Sequence, residues 1–417
     1  MKAHKKSLFG HSNFKKLWVA QILSLVGTQV TVVALPIIAI KLLNASTLQV
    51  GLLTAMSYLP FLLFGLPAGA WVDRLSIKRL MIVCDMCRGA ILILVPILYS
   101  MDFLTIPLLF IIAFCNGIFT VFFDISNQSF LPEILPKEQL TEGNSKLGTS
   151  YTTSQMVGPT IAGFMIKIFS APIAILIDSI SYFLSGIFIY NIKIPKQKTV
   201  LNKKKPGIFS EIREGLRFVV KNKYLKPIAI SMSIANMFDL FGMIQAILPI
   251  YILSTLKLSP FEYGIILSMG NIGAILGTFI NKIIVNKFYL GKVLAISSIL
   301  PGISLLILPF VQGEYAMYII GLSLSLAGLN IAVFNINQIS LRQAITPLNL
   351  MGRMNATIRF IIWGTVPLGA FLGGLLGEQI GVRNTLLVAA IGSVLSSIPI
   401  LFSKNTSLKS LKEIYTH

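Results

Sequence analysis

Residues 65–79 read GLPAGAWVDRLSIKR, and within them an apolar stretch ends in a dense cluster of charge. Gly65 and Gly69 are four residues apart, a spacing that lets a neighbouring membrane helix approach closely. The charged residues of segment 73–79 must turn sharply, because apolar sequence resumes at Leu80. The pattern therefore predicts two membrane helices joined by a short charged loop.

The composition of the 417-residue chain is that of an integral membrane protein. Hydrophobic residues make up 55% of the chain and charged residues 12%, whereas about 25% of the residues in an ordinary soluble domain are charged. The mean hydropathy is +0.80. Apolar stretches of about 20 residues, the length that crosses the hydrocarbon core of a bilayer, recur along the chain. They predict twelve spans, near residues 14–43, 47–72, 79–100, 104–130, 144–169, 172–193, 223–254, 260–286, 291–311, 314–342, 351–378 and 383–403.

The net charge of +20 is placed asymmetrically along these spans. Lys and Arg collect in the short loops that face the cytoplasm. If the N-terminus is inside, the basic residues that fall on the outer side are few: Lys41, Lys167, Lys257 and Arg383. The bias predicts that both termini are cytoplasmic, and it explains the positive charge without a nucleic-acid partner.

The sequence offers no motif for a metal, a cofactor or catalysis. Cys84 and Cys87 form a C-x-x-C pair, but no second pair or nearby histidine completes a metal site. Apolar helix filling is the expected use of these thiols. No Gly-x-x-x-x-Gly-Lys-Ser/Thr loop is present, so ATP is not the expected energy source. We therefore expect neither an enzyme nor a bound cofactor or metal.

An internal repeat relates the two halves of the chain. A shift of 211 residues places Gly163 on Gly374, and a shift of 213 residues places Arg79 on Lys292. Parallel repeats of this kind occur in transporters whose halves are related by an axis normal to the membrane. The repeat therefore predicts a duplicated helix bundle.

The charged loop resembles the loop between the second and third helices of the major facilitator superfamily. Gly69, Asp73, Arg74, Lys78 and Arg79 stand in the order of that family's motif. The resemblance implies an all-α membrane protein with twelve transmembrane helices in two six-helix halves. It also implies that the loop latches the cytoplasmic side, with Asp73 acting on the inner end of the eleventh helix. The expected division is an N-terminal half at 1–193, a cytoplasmic linker with an amphipathic helix at 194–222, a C-terminal half at 223–403 and a cytoplasmic tail at 404–417.

The fifth span carries Gly158-Pro159 followed by Gly163. Proline removes one backbone hydrogen bond, and the flanking small residues permit a bend and close packing. The segment resembles the Gly-Pro-x-x-Gly-Gly motif of drug-efflux antiporters, with Ala162 in place of one glycine. A packing kink that has no bearing on transport direction is the alternative. From about Phe14 to Phe402, the chain resembles the bacterial drug:proton antiporters that include macrolide-efflux proteins and the enterobactin exporter.

Proton coupling is expected at acids within the membrane, because burying an ionisable group is costly and such groups are usually functional. Asp239 lies near the middle of the seventh span and is a candidate proton acceptor or counter-charge for the substrate. Asp124, toward the inner end of the fourth span, is a second candidate, and an ion pair with Arg74 or Arg88 is its alternative role. Asp178 is expected to make a hydrogen bond that packs two helices.

The resemblance also implies a central cavity lined by the first, fourth, seventh and tenth helices. On this chain those helices offer Gln29, Asn116, Phe238, Gln245, Asn330 and Phe334. Asn116-Gly117 stands where many antiporters of the superfamily carry an arginine, which weakens the case for arginine-assisted coupling. An aromatic cavity with scattered amides and one acid suits an amphiphilic organic molecule, including a cationic one.

These observations predict a proton-coupled exporter of hydrophobic or amphiphilic small molecules in a bacterial cell membrane. We expect alternating access by a monomer whose partners are the substrate, protons and the lipid bilayer. The alternatives are an exporter of a siderophore or peptide antibiotic, an import symporter, and a transporter-like sensor or scaffold without flux.

Overall fold

The computed structural model describes residues 8–72, 75–194, 208–347 and 350–410. Every regular element in these ranges is a helix. The helices are numbered in chain order, and the linker helix (Ile208–Lys221) lies between helix 6 and helix 7. They are helix 1 (Ser12–Leu42), helix 2 (Thr47–Val72), helix 3 (Ile77–Ser100), helix 4 (Ile106–Ile134), helix 5 (Leu140–Phe169), helix 6 (Ala171–Tyr190), helix 7 (Leu225–Thr255), helix 8 (Pro260–Lys287), helix 9 (Leu290–Phe310), helix 10 (Ala316–Ile345), helix 11 (Met351–Gln379) and helix 12 (Val382–Leu401).

Among the described residues, eleven helices are long and apolar enough to cross a membrane, which confirms the predicted all-helical membrane fold. Helix 5 falls outside this set. Its 30 residues span about 45 Å, which is long enough to cross a bilayer, but polar residues such as Thr152, Thr153, Ser154 and Gln155 lower its hydropathy. The exact count of twelve spans therefore stays a prediction.

Proline explains four of the breaks inside the helices. The α-helical parts of helices 3, 9 and 12 end at Leu92, Leu305 and Leu395, each four residues before a proline. The first part of helix 11 ends at Gly364, three residues before Pro367. A proline cannot donate a hydrogen bond to the carbonyl four residues earlier, and its ring clashes with that carbonyl. These helices therefore bend where the sequence places the proline.

The helix contacts in the second half of the chain repeat those in the first. Helix 1 packs against helices 5 and 6, helix 2 against helix 4, and helix 3 against helices 4 and 6. Helix 7 packs likewise against helices 11 and 12, helix 8 against helix 10, and helix 9 against helices 10 and 12. Helices 1 and 7 both finish in a π-helical turn, Ile38–Leu42 and Tyr251–Thr255, and the two turns lie 213 residues apart. The packing thus follows the internal repeat of the sequence.

The hydrophobic core is continuous at one end of the bundle and divided at the other. We call the end at which helix 1 begins the inner end, and the opposite end the outer end. Toward the outer end, one cluster joins residues of both halves, including Val33, Leu53, Ile247 and Leu305. Toward the inner end, separate clusters form within residues 8–192 and within residues 219–408. The two halves are therefore packed together at the outer end and separated toward the inner end.

Glycines allow the two halves to meet closely at two equivalent places. A Cβ atom on Gly163 of helix 5 would lie 2.5 Å from the Pro260 carbonyl oxygen of helix 8. A Cβ atom on Gly51 of helix 2 would lie 2.5 Å from the Gly374 Cα atom of helix 11. A side chain at either glycine would push the helices apart. The sequence repeat that aligns Gly163 with Gly374 thus corresponds to two matching contacts between the halves.

Candidate substrate cavity

A cavity of about 550 Å³ lies toward the inner end, mainly among helices of the second half. Helices 7, 9, 10, 11 and 12 supply almost all of its wall, and helix 4 supplies Gln128. The wall includes the charged residues Asp239, Arg342 and Arg359, the hydroxyl groups of Ser231 and Ser393, the amide groups of Asn236 and Asn335, and the aromatic rings of Phe241, Phe334 and Trp363. Its volume lies within the range of small-molecule sites.

Asp239 lies at a break in helix 7. The first α-helical segment ends at Phe238, and the next begins at Met243. Asp239 has an extended backbone, with φ of −88° and ψ of −161°, and its Oδ1 atom accepts a hydrogen bond of 2.7 Å from the Leu240 amide. Its side chain is only 4% exposed. Broken membrane helices commonly supply binding groups in transporters, because their unwound backbone lines a cavity.

Three glycines allow close packing around this break. Gly242 ends the irregular segment, and a Cβ atom there would lie 2.4 Å from the Asn236 carbonyl oxygen. Gly369 of helix 11 lies against the Met237 carbonyl, and Gly392 of helix 12 lies against the Phe238 ring. Because any side chain at these glycines would collide with helix 7, the sequence permits helices 11 and 12 to approach the break.

A group of aromatic rings joins the cavity wall to helix 2 of the first half. Phe241 meets Trp363 edge to face at 5.7 Å between ring centroids. The rings of Tyr58 and Phe61 of helix 2 also stack on Trp363, at 6.2 Å and 5.9 Å between ring centroids. Aromatic pairs with such spacings stabilise packing beyond the area they bury. The group offers a flat apolar surface next to Asp239.

Arg342 of helix 10 and Arg359 of helix 11 bring positive charge to the same cavity. The Arg342 Nη1 and Nη2 atoms donate to Gln338 Oε1 at 3.0 Å and Asn355 Oδ1 at 2.9 Å. The Arg342 Nε atom is buried and has no partner among the described residues. In the sequence, Arg342 and Arg359 belong to the basic residues that fall on the inner side, and the charge bias alone does not assign them to a cavity. Their positions inside predicted spans were the signal that could have assigned them to the cavity.

The first half contains a separate buried ionic cluster that sequence reasoning missed. Arg88 of helix 3 forms an ion pair with Asp85 one turn earlier, and Ser185 of helix 6 donates to Asp85 at 2.7 Å. The Arg88 guanidinium lies between the rings of Phe123 and Tyr182, 4.1 Å and 4.2 Å from their centroids. The spacing of three residues between Asp85 and Arg88 was the available signal.

Asp178 of helix 6 joins helix 6 to helix 1. It accepts hydrogen bonds from Thr31 of helix 1 and from Ser181, the latter at 3.1 Å. Gly27 of helix 1 makes room, because a Cβ atom there would lie 2.2 Å from the Asp178 Oδ1 atom. These contacts are those of a helix-packing group.

Asp124 of helix 4 makes no ion pair with a described residue. Arg88, one of its two expected partners, pairs with Asp85 instead. Arg74, the other, lies outside the described residues. Asp124 interacts electrostatically with Arg88 of the ionic cluster and with Arg359 of the cavity wall.

The structure places one of the six predicted cavity residues, Phe334, in the wall of this cavity. Phe238 packs instead against Gly392, and Gln29 packs against Gly158 of helix 5. The remaining three also lie outside the wall: Asn116, whose Oδ1 atom is buried without a partner among the described residues, Gln245, and Asn330, which donates to the Leu326 carbonyl at 2.8 Å.

The predicted gating loop is described only in part, since Asp73 and Arg74 lie outside the described residues. No atom of a described residue outside helix 2 lies within 4 Å of the Cβ position of Gly69, and Arg79 is exposed. The Lys78 Nζ atom donates to the Tyr190 and Ile192 carbonyls at 2.8 Å and 2.7 Å. Lys78 therefore ties helix 3 to the end of helix 6, within the first half.

The Gly158-Pro159 segment of the fifth helix, which is α-helical without a break from Leu140 to Phe169, lies at the contact between the halves. Gly264 of helix 8 faces the Pro159 carbonyl, and its Cβ atom would lie only 2.2 Å from that oxygen. One turn further along helix 8, Ser268 Oγ accepts hydrogen bonds from the Thr160 amide and hydroxyl at 3.2 Å and 2.8 Å. Gly158, Pro159 and Gly163 thus form a surface that faces helix 1 on one side and helix 8 on the other.

Solved structures with the same fold are membrane transporters. A mutant form of the nucleoside transporter NupG superimposes with a TM-score of 0.76 at 15% identity, covering 93% of this chain and 99% of that chain. A bacterial homologue of the iron transporter ferroportin, in an inward-facing state, gives a TM-score of 0.74 at 16% identity, covering 96% and 100%. These likenesses show that the chain shares its fold with membrane transporters.

The family follows from the sequence comparison. The model of the major facilitator family described as transmembrane secretion effector matches residues 6–415, and the chain belongs to this family. Macrolide efflux protein A of Streptococcus pyogenes is 23% identical over 405 residues, 95% of this chain and 97% of that protein. The multidrug efflux pump Tap of Mycolicibacterium fortuitum is 23% identical over 388 residues, 90% of this chain and 92% of that protein. The predicted resemblance to drug-efflux transporters is confirmed.

Proposed function

We propose that this chain exports amphiphilic small molecules in exchange for protons. The observation that carries the proposal is Asp239, a buried carboxylate at the break of helix 7 and in the wall of the inner cavity. The relatives named for macrolide and multidrug efflux support the direction of transport and the substrate class. The Gly158-Pro159 motif supports the same direction through its resemblance to efflux antiporters.

Asp239 suits exchange because it has no cationic partner among the described residues. Its carboxylate accepts a single hydrogen bond, from the Leu240 amide. A lone acid within a membrane protein binds a proton or a cationic group of the substrate, and the two compete for the same oxygen atoms. Release of the proton to the inside would therefore prepare the cavity for a substrate from the cytoplasm.

Alternating access would open the cavity to one side of the membrane at a time. In this account, residues 1–193 and 223–403 form the two halves that rock, 194–222 link them, and 404–417 form a cytoplasmic tail. The glycine contacts of helix 5 with helix 8 and of helix 2 with helix 11 close the outer end. These contacts would separate in the outward-open state, when Asp239 takes up a proton.

The inner end faces the cytoplasm in this proposal, because the basic residues collect there. The protein would act as a monomer in the bacterial cell membrane. A lateral partner is not needed to complete the cavity, since helices of one chain supply its wall.

The test is uphill efflux from vesicles energised by a pH gradient. Asp239→Asn should abolish accumulation against a substrate gradient while leaving downhill exchange partly intact. The amide keeps the size of the side chain but cannot bind and release a proton. Asp239→Glu should keep part of the coupled activity. Asp102→Asn is the matched control, since Asp102 lies at an exposed turn between helices 3 and 4 and should pump normally.

Two outcomes would overturn the assignment. If Asp239→Asn pumps normally and Asp124→Asn does not, the proton site lies in helix 4. If both variants pump normally, protons are not carried by these acids, and a uniporter or another coupling ion takes precedence.

A further inference from the structure

The cavity carries two guanidinium groups that the proton mechanism does not use. Arg359 forms no hydrogen bond or ion pair with any described residue. Arg342 binds only the neutral amides of Gln338 and Asn355, and its Nε atom is left without a partner among the described residues. An arginine within a membrane protein is costly unless its charge is used or compensated.

Another arginine of this chain shows the compensated arrangement. Arg88 in the first half pairs with Asp85 and lies between two aromatic rings. The positive charges at Arg342 and Arg359 have no carboxylate at ion-pair distance within the described part of the chain. Asp124 of helix 4 interacts with Arg359 only at longer range.

The positive and negative charges of the cavity lie at different depths. The Asn236 Nδ2 atom of helix 7 donates to the Ile362 carbonyl of helix 11 at 3.2 Å, so these two residues are at the same level. Asp239 lies three residues beyond this level toward the outer end, and Arg359 lies three residues before it. At 1.5 Å per residue, the backbone positions of Asp239 and Arg359 are about 9 Å apart along the helix axes. Arg342, close to the end of helix 10, lies nearer to the inner mouth.

We propose that the cavity selects dipolar amphiphiles, which carry a cationic amine at one end and an acidic oxygen group at the other. The amine would bind Asp239, an apolar or aromatic body would lie on Phe241 and Trp363, and a carboxylate or phenolate would bind Arg359. Planar guanidinium groups match carboxylates with two parallel hydrogen bonds. This inference rests on the proposed function, because it uses Asp239 as the group for which proton and amine compete.

A matched pair of dyes tests the inference on the full-length protein in lipid nanodiscs. A rhodamine carboxylic acid is a zwitterion at neutral pH, and its methyl ester is a cation with the same aromatic body. Fluorescence anisotropy would give the dissociation constant of each dye. The wild-type protein should bind the acid about tenfold more tightly than the ester, the effect of one charge-assisted hydrogen bond. Arg359→Gln should remove this difference by weakening binding of the acid alone.

Two further variants keep the result interpretable. Arg359→Lys keeps the positive charge and should retain part of the preference for the acid. Lys282→Gln removes a positive charge from an exposed position of helix 8 and should leave both dissociation constants unchanged. Equal affinity of the wild-type protein for the two dyes, or an acid preference that survives Arg359→Gln, would overturn the inference.

The same dyes separate this inference from the proposed function. Proton-driven transport of the ester depends on Asp239 and does not require Arg359. If Asp239→Asn abolishes uphill transport of the ester while Arg359→Gln leaves the dye preference unchanged, proton exchange stands and the dipolar site is wrong. If the acid preference depends on Arg359 but no dye moves against its gradient, the site is correct and the exchange mechanism is wrong.

Discussion

Gly163→Ala should shift the protein toward the state in which the outer end is open. The new Cβ atom would lie 2.5 Å from the Pro260 carbonyl oxygen and 3.0 Å from the Phe261 Cα atom. Ordinary contact begins at about 3.4 Å, so the first distance is about 0.9 Å too short. Both neighbours are backbone atoms at the start of helix 8, and no side-chain rotation can relieve the clash. Helices 5 and 8 must therefore separate.

The expected magnitude follows from the cost of overpacking, which is about 1–3 kcal/mol. This cost falls on the state with a closed outer end, because the contact exists only there in our account. The ratio of outward-open to inward-open protein should therefore rise roughly 5- to 150-fold. Gly264→Ala, whose Cβ atom would lie 2.2 Å from the Pro159 carbonyl oxygen, should act in the same direction.

The assay is the distance between spin labels on the outer ends of the two halves. Met101 and Tyr315 are exposed there, at 56% and 71%, and each tolerates a cysteine for labelling. Gly148→Ala is the matched control on the same helix, since nothing lies within 4 Å of its Cβ position. Gly163→Ala should move the distance distribution to longer values, and Gly148→Ala should not. An unchanged distribution in a well-folded Gly163→Ala protein would refute the role of this contact as the outer closure.

Three further predictions follow from other contacts. The Lys41 Nζ atom donates to the Leu253 carbonyl at 2.9 Å across the outer end. Lys41→Met should destabilise the state with a closed outer end by about 1 kcal/mol or less, which moves part of the same spin-label distance distribution to longer values. An unchanged distribution would exclude this bond from the closure. A cysteine at Lys221, on the linker helix, should resist impermeant reagents in intact cells while one at Ser46 reacts, and the reverse pattern would overturn the orientation. Arg88→Ala should destabilise the first half by about 3–5 kcal/mol, because it leaves a buried acid unpaired; a melting temperature equal to that of the wild type would contradict this.

The sequence predicted most of the membrane spans because apolar length is a local property of the chain. The predicted span 47–72 matches helix 2, and the prediction for the first span, 14–43, lies within two residues of helix 1. The repeat offset of 213 residues, read from Arg79 and Lys292, also relates the two π-helical turns. Spans and duplication are properties of short segments or of their order.

The cavity was harder to predict because its wall depends on how distant helices separate. The resemblance pointed to helices 1, 4, 7 and 10, whereas the cavity lies among helices 7 and 9–12. Asp239 was identified by depth alone, but the break beside it depends on Gly369 and Gly392, more than a hundred residues away. Arg359 was one basic residue among many on the inner side. Only the packing of helix 11 against helix 7 shows that it shares a cavity with Asp239.

Proton flux is the most direct measure of whether a substrate moves in exchange for a proton bound at Asp239. Proteoliposomes containing a trapped pH indicator would receive a substrate gradient directed inward, with no initial pH difference. If Asp239 carries the exchanged proton, substrate entry drives protons out and makes the lumen alkaline, whereas Asp239→Asn admits substrate without any pH change. Substrate entry into wild-type proteoliposomes with a constant or falling lumenal pH would contradict proton exchange.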